Sequence, residues 1–261
     1  MITLANNRIV LTLEPDFGAR VTSLTDLSSG RQWLVPGDCV DGDAYLGDQA
    51  RGWDECFPTV GVCQHPSWGG PMRDHGEVWG RKWSVTHNAD SCVGTYVDPQ
   101  FAFARSLQLK GMTVIANYHV TNRSADPLPY LWSQHALLAT TPADRIVLQD
   151  IADMQAGGQP LIWPRHTARD LSAVGRMEEG FALKLYGQAQ NTASAEISGP
   201  AGGIRFDWSG AGIPSFGAWL DYGGWPPDKP VHQVALEPTT APADDLAAAD
   251  AMGRARRLAP R

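Results

Sequence analysis

No run of this sequence approaches the roughly eighteen consecutive apolar residues that a membrane-spanning helix needs, so no such helix is expected. The first residues, Met1 to Arg8, lack the basic start, apolar stretch and small-residue cleavage site of a secretory signal. Cysteine is scarce: there are four, Cys39, Cys56, Cys63 and Cys92, with no C-x-x-C spacing. The even count permits a disulfide pair, but a long chain without an export signal reads as cytoplasmic with reduced thiols. Cys56, flanked by apolar residues, reads as a small buried side chain. Positive charge is in deficit, 21 Lys and Arg against 28 Asp and Glu, which gives a net charge of −7. That balance argues against broad attraction to nucleic acid or to an anionic membrane. The seven His form no H-x-H, H-E-x-x-H or Cys/His ligand spacing, so no metal site is expected. There is no G-x-S-x-G elbow, phosphate-cradling glycine loop or dinucleotide fingerprint, so neither hydrolase chemistry nor an organic cofactor has support. Helical periodicity is nearly absent, and so are internal repeats and low-complexity linkers.

What the chain does have is ten Trp and a succession of short strand patterns broken by Gly, Pro, Asn and Asp. Trp offers a flat apolar face and one N–H donor, which suits a core and also the C–H face of a sugar; most of the ten are expected in the core. Arg8 to Leu13 and Ala19 to Leu24 flank Asp16-Phe17-Gly18 as a hairpin pattern. Further strands are predicted at Trp83–His87, Val93–Val97, Phe101–Leu109, Met112–Thr121, Tyr130–Leu138, Arg145–Leu148, Phe181–Tyr186, Ala195–Ile197, Gly203–Trp208, Phe216–Asp221 and Val231–Leu236. Leu107 to Thr121 alternates most clearly, with Lys110-Gly111 as its turn. One helix is predicted between Asp244 and Arg257. Many strands and little helix imply an all-β sandwich of large antiparallel sheets, and residues 1–261 are expected to form one domain.

Polar, ionisable and aromatic residues crowd into three islands. The first runs from Arg51-Gly52-Trp53-Asp54-Glu55-Cys56-Phe57-Pro58 to Asp74-His75-Gly76-Glu77-Val78-Trp79-Gly80-Arg81-Lys82-Trp83. The second is Tyr130-Leu131-Trp132-Ser133-Gln134-His135. The third spans Trp219-Leu220-Asp221-Tyr222-Gly223-Gly224-Trp225-Pro226 and Leu236-Glu237-Pro238. Glu237 follows an apolar strand and precedes a proline expected to end the ladder. A carboxylate there is either an ordinary surface Glu or a proton carrier whose pKa burial has raised. Strand alternation sets His135 with Leu131, Ser133 and Leu137, a half-buried face on which a histidine is either structural or functional. His75 falls in a predicted loop, where chemistry and plain exposure are equally open.

In this order the islands resemble the aldose 1-epimerase (galactose mutarotase) superfamily over nearly the whole chain. Leu13 to Leu24 resembles the opening hairpin, and Gly52 to Pro58 resembles the G-x-x-x-C-F-P segment of the hexose-phosphate-epimerase branch. His75-Gly76 matches the family's His-Gly pair, His135 its second histidine and Glu237 its late glutamate. The resemblance implies a galactose mutarotase-like β-supersandwich with a concave face for a pyranose, and no cofactor. It implies Glu237 as general base, His135 as general acid and His75 as a helper at the ring oxygen. Arg51, Asp54, Arg81 and Asp221 are the expected substrate contacts. Trp79 stands where the phosphosugar branch has arginine and is expected to pack against the sugar. The expected partner is therefore a small sugar without phosphate, with or without an acidic substituent; hexose-6-phosphate epimerisation and sugar binding without turnover are the alternatives.

Overall fold

A computed structural model describes residues 1–37, 45 and 50–261; Cys39 lies outside the described residues. Fifteen strands build its two main sheets: β1 (Ile2–Ala5), β2 (Ile9–Glu14), β3 (Arg20–Asp26), β4 (Trp53–Cys56), β5 (Ser84–His87), β6 (Ser91–Val97), β7 (Phe101–Lys110), β8 (Thr113–Asn122), β9 (Ser133–Leu138), β10 (Arg145–Ala156), β11 (Gln159–Pro160), β12 (Phe181–Gly199), β13 (Gly202–Ser209), β14 (Ser215–Tyr222) and β15 (His232–Thr239). The larger, 11-stranded sheet runs β1-β2-β3-β4-β9-β15-β14-β12-β10-β11, with β13 also paired to β12. The smaller, 4-stranded sheet runs β8-β7-β6-β5. Neighbouring strands in both are antiparallel, joined by hairpins where they are consecutive and by long connections elsewhere. Among the described residues no helix is long and apolar enough to cross a membrane.

Alternation decides which face is buried. In β7 the inward residues Phe101, Phe103, Arg105, Leu107 and Leu109 are buried while their neighbours are less so. This row packs on the larger sheet, where Phe57 lies 4.9 Å from Phe101 and 5.4 Å from Phe103 between ring centroids. Trp33, Trp53, Trp79, Trp83, Trp132 and Trp208 are buried, so most of the Trp serve the core as expected. One charge pair crosses between the sheets: Arg105 Nη1 donates to Glu55 Oε1 at 3.0 Å. Trp53 Nε1, Tyr118 Oη and Trp132 Nε1 also donate to Glu55, at 3.0, 3.1 and 3.0 Å. Burial pushes the Glu55 carboxyl up to about 7 against the pull of Arg105 and these donors.

The hairpin expected at Lys110-Gly111 forms, but its turn is Gly111-Met112, with Gly111 at φ 60° and Lys110 still in the ladder opposite Thr113. Three expectations need correction. Tyr130–Leu138 is two strands, because Leu128–Tyr130 leaves the sheet to pair with Arg256–Leu258 before β9 begins. The helix is only α1, Leu246–Ala251, capped by Asp245 on the Ala248 N–H; the chain turns at Gly253, φ 67°, and re-enters a strand. Pro238 does not end its ladder, since β15 continues to Thr239 with Pro238 opposite Phe216.

Candidate active site

The strand register aligns the site. His135 on β9 pairs with Asp54 on β4. The pairs Ser133↔Thr239 and Leu137↔Ala235 then put His135 opposite Glu237 on β15. Glu237 pairs with Gly217, and Gly217 with Tyr186. Directly opposed residues share a face, so Asp54, His135, Glu237, Gly217 and Tyr186 form one row across the larger sheet. Cys56 and Ser133, two residues along, belong to the next row on that face; Trp53 and Glu55 point into the sandwich. Gly217 leaves the room this row needs, because a Cβ there would come within 3.1 Å of Glu237 Oε2.

His75 arrives from a loop in an unusual backbone state. It lies at φ 61° and Gly76 at φ 73°, in the left-handed region. A Cβ at position 76 would lie 2.1 Å from the Phe57 carbonyl oxygen, so only glycine lets the loop close on β4's continuation. That closure sets the His75 ring 4.7 Å from the His135 ring, at 74°, with the Tyr45 ring stacked on His75 at 3.7 Å. Each imidazole leans on a carboxylate through Nδ1: His135 on Asp54 and His75 on Asp74, both at 3.0 Å. Burial lowers the His75 pKa although Asp74 opposes it. Asp54 is itself buried; against that burial, His135 and Arg20 hold its carboxyl well below the usual range. Trp79 Nε1 donates to Asp54 Oδ2 at 2.8 Å, and the Arg20 guanidinium lies 3.2 Å from the same oxygen.

Glu237 is 1% exposed. Lys184 Nζ donates to its two oxygens at 2.8 and 2.6 Å, and Ser133 Oγ to one of them at 3.4 Å. Burial would raise the Glu237 carboxyl, as anticipated, but the Lys184 ammonium overrides it and the net shift is downward. Above this pair a cleft of about 260 Å³ opens, lined by His75, His135, Lys184, Trp219, Trp225 and Gln233 among others. Gln233 is fully buried, and neither of its side-chain polar atoms has a partner among the described residues.

Of the seven residues expected at the site, His75 and His135 line the cleft and Glu237 lies beneath Lys184. The other four do not line it. Asp54 orients His135. Arg51 Nη1 donates to the Pro36 carbonyl at 2.7 Å, and the Arg81 guanidinium lies 3.9 Å from Glu77. Asp221 shares the cleft-side face, but its Oδ1 accepts the N–H groups of Gly224 and Trp225 at 3.0 and 3.2 Å, which fixes the turn carrying Trp225. Trp79 is also buried away from the cleft, its N–H committed to Asp54. Sequence reasoning missed Lys184 and Gln233. Lys184 interrupts the apolar run Phe181-Ala182-Leu183-Lys184-Leu185, a signal that an outward-facing strand lysine gives equally well.

Burial raises the Asp221 carboxyl from 3.8 to about 6, against the two N–H groups it accepts. A folded-state pKa above the unfolded one means the native chain holds this proton longer. The associated stability is complete below the unfolded value and is lost as pH rises through about 6. Asp221→Asn carries no charge at any pH, so its melting temperature relative to the parent is expected to be higher at roughly pH 7.5 than at roughly pH 4.5. Thermal unfolding followed by circular dichroism at both values checks this; an equal difference at the two would assign the titration elsewhere.

No family model and no curated protein sequence matches the chain. Solved structures do. An Escherichia coli K12 protein provisionally named an aldose 1-epimerase superposes with a TM-score of 0.73 at 17% identity, over 99% of this chain and 93% of that one. A galactose mutarotase related enzyme from Lactobacillus acidophilus gives 0.70 at 15% identity, over 99% and 92%. A galactose mutarotase-like protein from Clostridium acetobutylicum gives 0.56 at 14%, over 93% and 85%. At these identities the likeness speaks to architecture, and the fold of this chain is the galactose mutarotase-like fold.

Proposed function

We propose that this protein is an aldose 1-epimerase that interconverts the α and β anomers of a free pyranose. The observation that carries the reading is the His135–Glu237 juxtaposition across adjacent strands, with His75 packed against His135, beside one small cleft. Anomer exchange needs a proton taken from the C1 hydroxyl and another delivered to the ring oxygen. Glu237 accepts the first and His135 delivers the second, with His75 beside it; the bond from C1 to the ring oxygen breaks and leaves an open-chain aldehyde. Rotation about C1–C2 and reclosure with the two roles exchanged returns both protons and gives the other anomer. Asp54 and Asp74 hold the imidazoles in position, as orienting groups do for acid–base histidines. The cleft falls just under the roughly 300–1,000 Å³ of drug-sized ligand sites, a scale that suits one monosaccharide. Trp219 and Trp225, perpendicular at 6.1 Å, offer apolar faces to sugar C–H groups, and Gln233 offers both a donor and an acceptor to hydroxyls.

Among the described residues the cation lining the cleft is Lys184, and an acidic substituent would meet it there. A single ammonium matches a carboxylate or sulfonate better than a phosphate dianion, which usually draws several fixed donors. An anionic sugar that engaged Lys184 would also loosen its hold on Glu237 and return basicity to that carboxylate. The same ion pair, undisturbed, favours the second reading, a sugar-binding domain without turnover.

Anomer exchange measured by NMR on glucose, galactose, a uronic or sulfonated sugar and glucose 6-phosphate distinguishes these readings. Catalysed exchange of an unphosphorylated sugar is expected. Gln233→Leu, which keeps the bulk and removes both polar atoms, should raise KM about tenfold for one lost pair of hydrogen bonds while leaving kcat within a few fold. Binding without any acceleration for every sugar would establish the second reading, and a preference for glucose 6-phosphate would overturn the substrate assignment.

A further inference from the structure

The mechanism leaves the buried thiol of Cys56 unused; it is fully inaccessible and belongs to the row beside His135. One potential ligand atom each from Cys56, His75 and His135 lies within 4.8 Å of the other two. All three residues are buried. The histidines are arranged as metal-binding histidines commonly are, each with Nδ1 on a carboxylate, Asp54 for His135 and Asp74 for His75. That contact commits the Nδ1 proton to the carboxylate and leaves Nε2 with a free lone pair. At His75, only 6% exposed, this Nε2 is buried and has no hydrogen-bond partner among the described residues. A buried polar atom left unpaired is costly, and such atoms often mark a ligand position. The cluster was invisible to spacing rules because its members come from β4, a loop and β9.

We propose that Cys56, His75 and His135 form a binding site for Zn²⁺. One thiolate and two neutral imidazoles suit a borderline cation and exclude the hard cations Mg²⁺ and Ca²⁺, which take oxygen ligands. Ligation replaces the S–H bond by a Zn–S bond and releases one proton to solvent; both nitrogens ligate through existing lone pairs. Zn–N bonds of about 2.0–2.1 Å and Zn–S bonds of about 2.3 Å bring tetrahedral ligands to roughly 3.5 Å from one another. Side-chain rotation of about 1 Å therefore closes the set, and three protein ligands leave a fourth position for water. A bound cation occupies the lone pairs of both histidines, so the metal-loaded and proton-transferring states exclude each other. This last consequence rests on the epimerase reading; the binding itself does not.

The test uses the full chain, freed of metal by chelator dialysis and titrated with ZnCl₂ by calorimetry and with CoCl₂ by absorption spectroscopy. One Zn²⁺ per chain is expected, together with a thiolate-to-cobalt charge-transfer band and the intense visible bands of four-coordinate Co²⁺. Cys56→Ser should abolish the charge-transfer band, and Cys63→Ser should leave it intact. Asp74→Asn, at a partly exposed position, should weaken Zn²⁺ binding by about 10–100-fold, the usual effect of removing a carboxylate behind a ligating histidine. Absence of stoichiometric binding, a cobalt spectrum without the thiolate band, or a band that survives in Cys56→Ser would overturn the site. If Zn²⁺ binds in this way yet does not inhibit anomer exchange, the site stands and the role given to the two histidines in turnover falls.

Discussion

Glu237→Gln is expected to lower kcat for anomer exchange by about 10²–10⁴, the contribution of one placed proton-transfer group, with KM changed far less. The amide keeps the shape and an acceptor for Lys184 but cannot take the C1 hydroxyl proton. On the proposed mechanism, Lys184 also sets where on the pH scale this base would work. Its ammonium, 2.6 and 2.8 Å from the two oxygens, holds Glu237 below the ordinary glutamate value, against burial. The base form therefore persists into acid, and the acidic limb of kcat/KM should lie below about pH 4.5 where Glu237 sets it. Lys184→Met removes the lowering influence and leaves burial, so that limb should move to higher pH. Rates from NMR exchange across pH, with circular dichroism to verify folding, check both variants. Near-normal turnover in Glu237→Gln would assign the base to another group, and an unmoved limb in Lys184→Met would show that Glu237 does not titrate in the rate.

Arg105→Met should produce the largest loss of stability. Glu55 and Arg105 are both almost wholly buried between the sheets, and the guanidinium also donates to the Ala19 carbonyl. Removing one partner of a buried pair leaves the other uncompensated, which typically costs about 3–5 kcal/mol. For a chain of this size that corresponds to a fall in melting temperature of about 10 °C. Replacing both, as Arg105→Met with Glu55→Leu, should recover most of the loss, because well-packed apolar pairs often match a buried ion pair. Thermal denaturation of the single and double variants measures the effect. A single variant as stable as the parent would mean that Glu55 takes up a proton once Arg105 is gone and so leaves no buried charge.

The sheet character of the chain was written in local pattern. Phe101 to Thr121 alternates because one face of each strand meets the core and the other meets solvent, and the turn at Gly111 needs a residue tolerant of positive φ. His75-Gly76, His135 and Glu237 were legible as motifs because the positions they occupy demand particular residues: only glycine fits beneath the Phe57 carbonyl. Strand alternation likewise put His135 on the face of Ser133 and Leu137. The short helix was overextended because a run of alanines with charges looks helical, while pairing of Arg256–Leu258 with Leu128–Tyr130 is a long-range event with no local sign.

Local pattern and motif order were enough for the class of fold and for His75, His135 and Glu237 as candidates. Tertiary structure alone decided what those groups do, because charge and proton affinity depend on neighbours brought together from distant strands. Lys184 reaches Glu237 only through the order β9-β15-β14-β12, and it reverses the upward pKa shift that burial would have given. Asp54 and Asp221 look alike as isolated carboxylates. Register sends one to hold a histidine and the other to fix a turn, while Gln233, unremarkable in the chain, ends at the cleft with both polar atoms unpaired among the described residues.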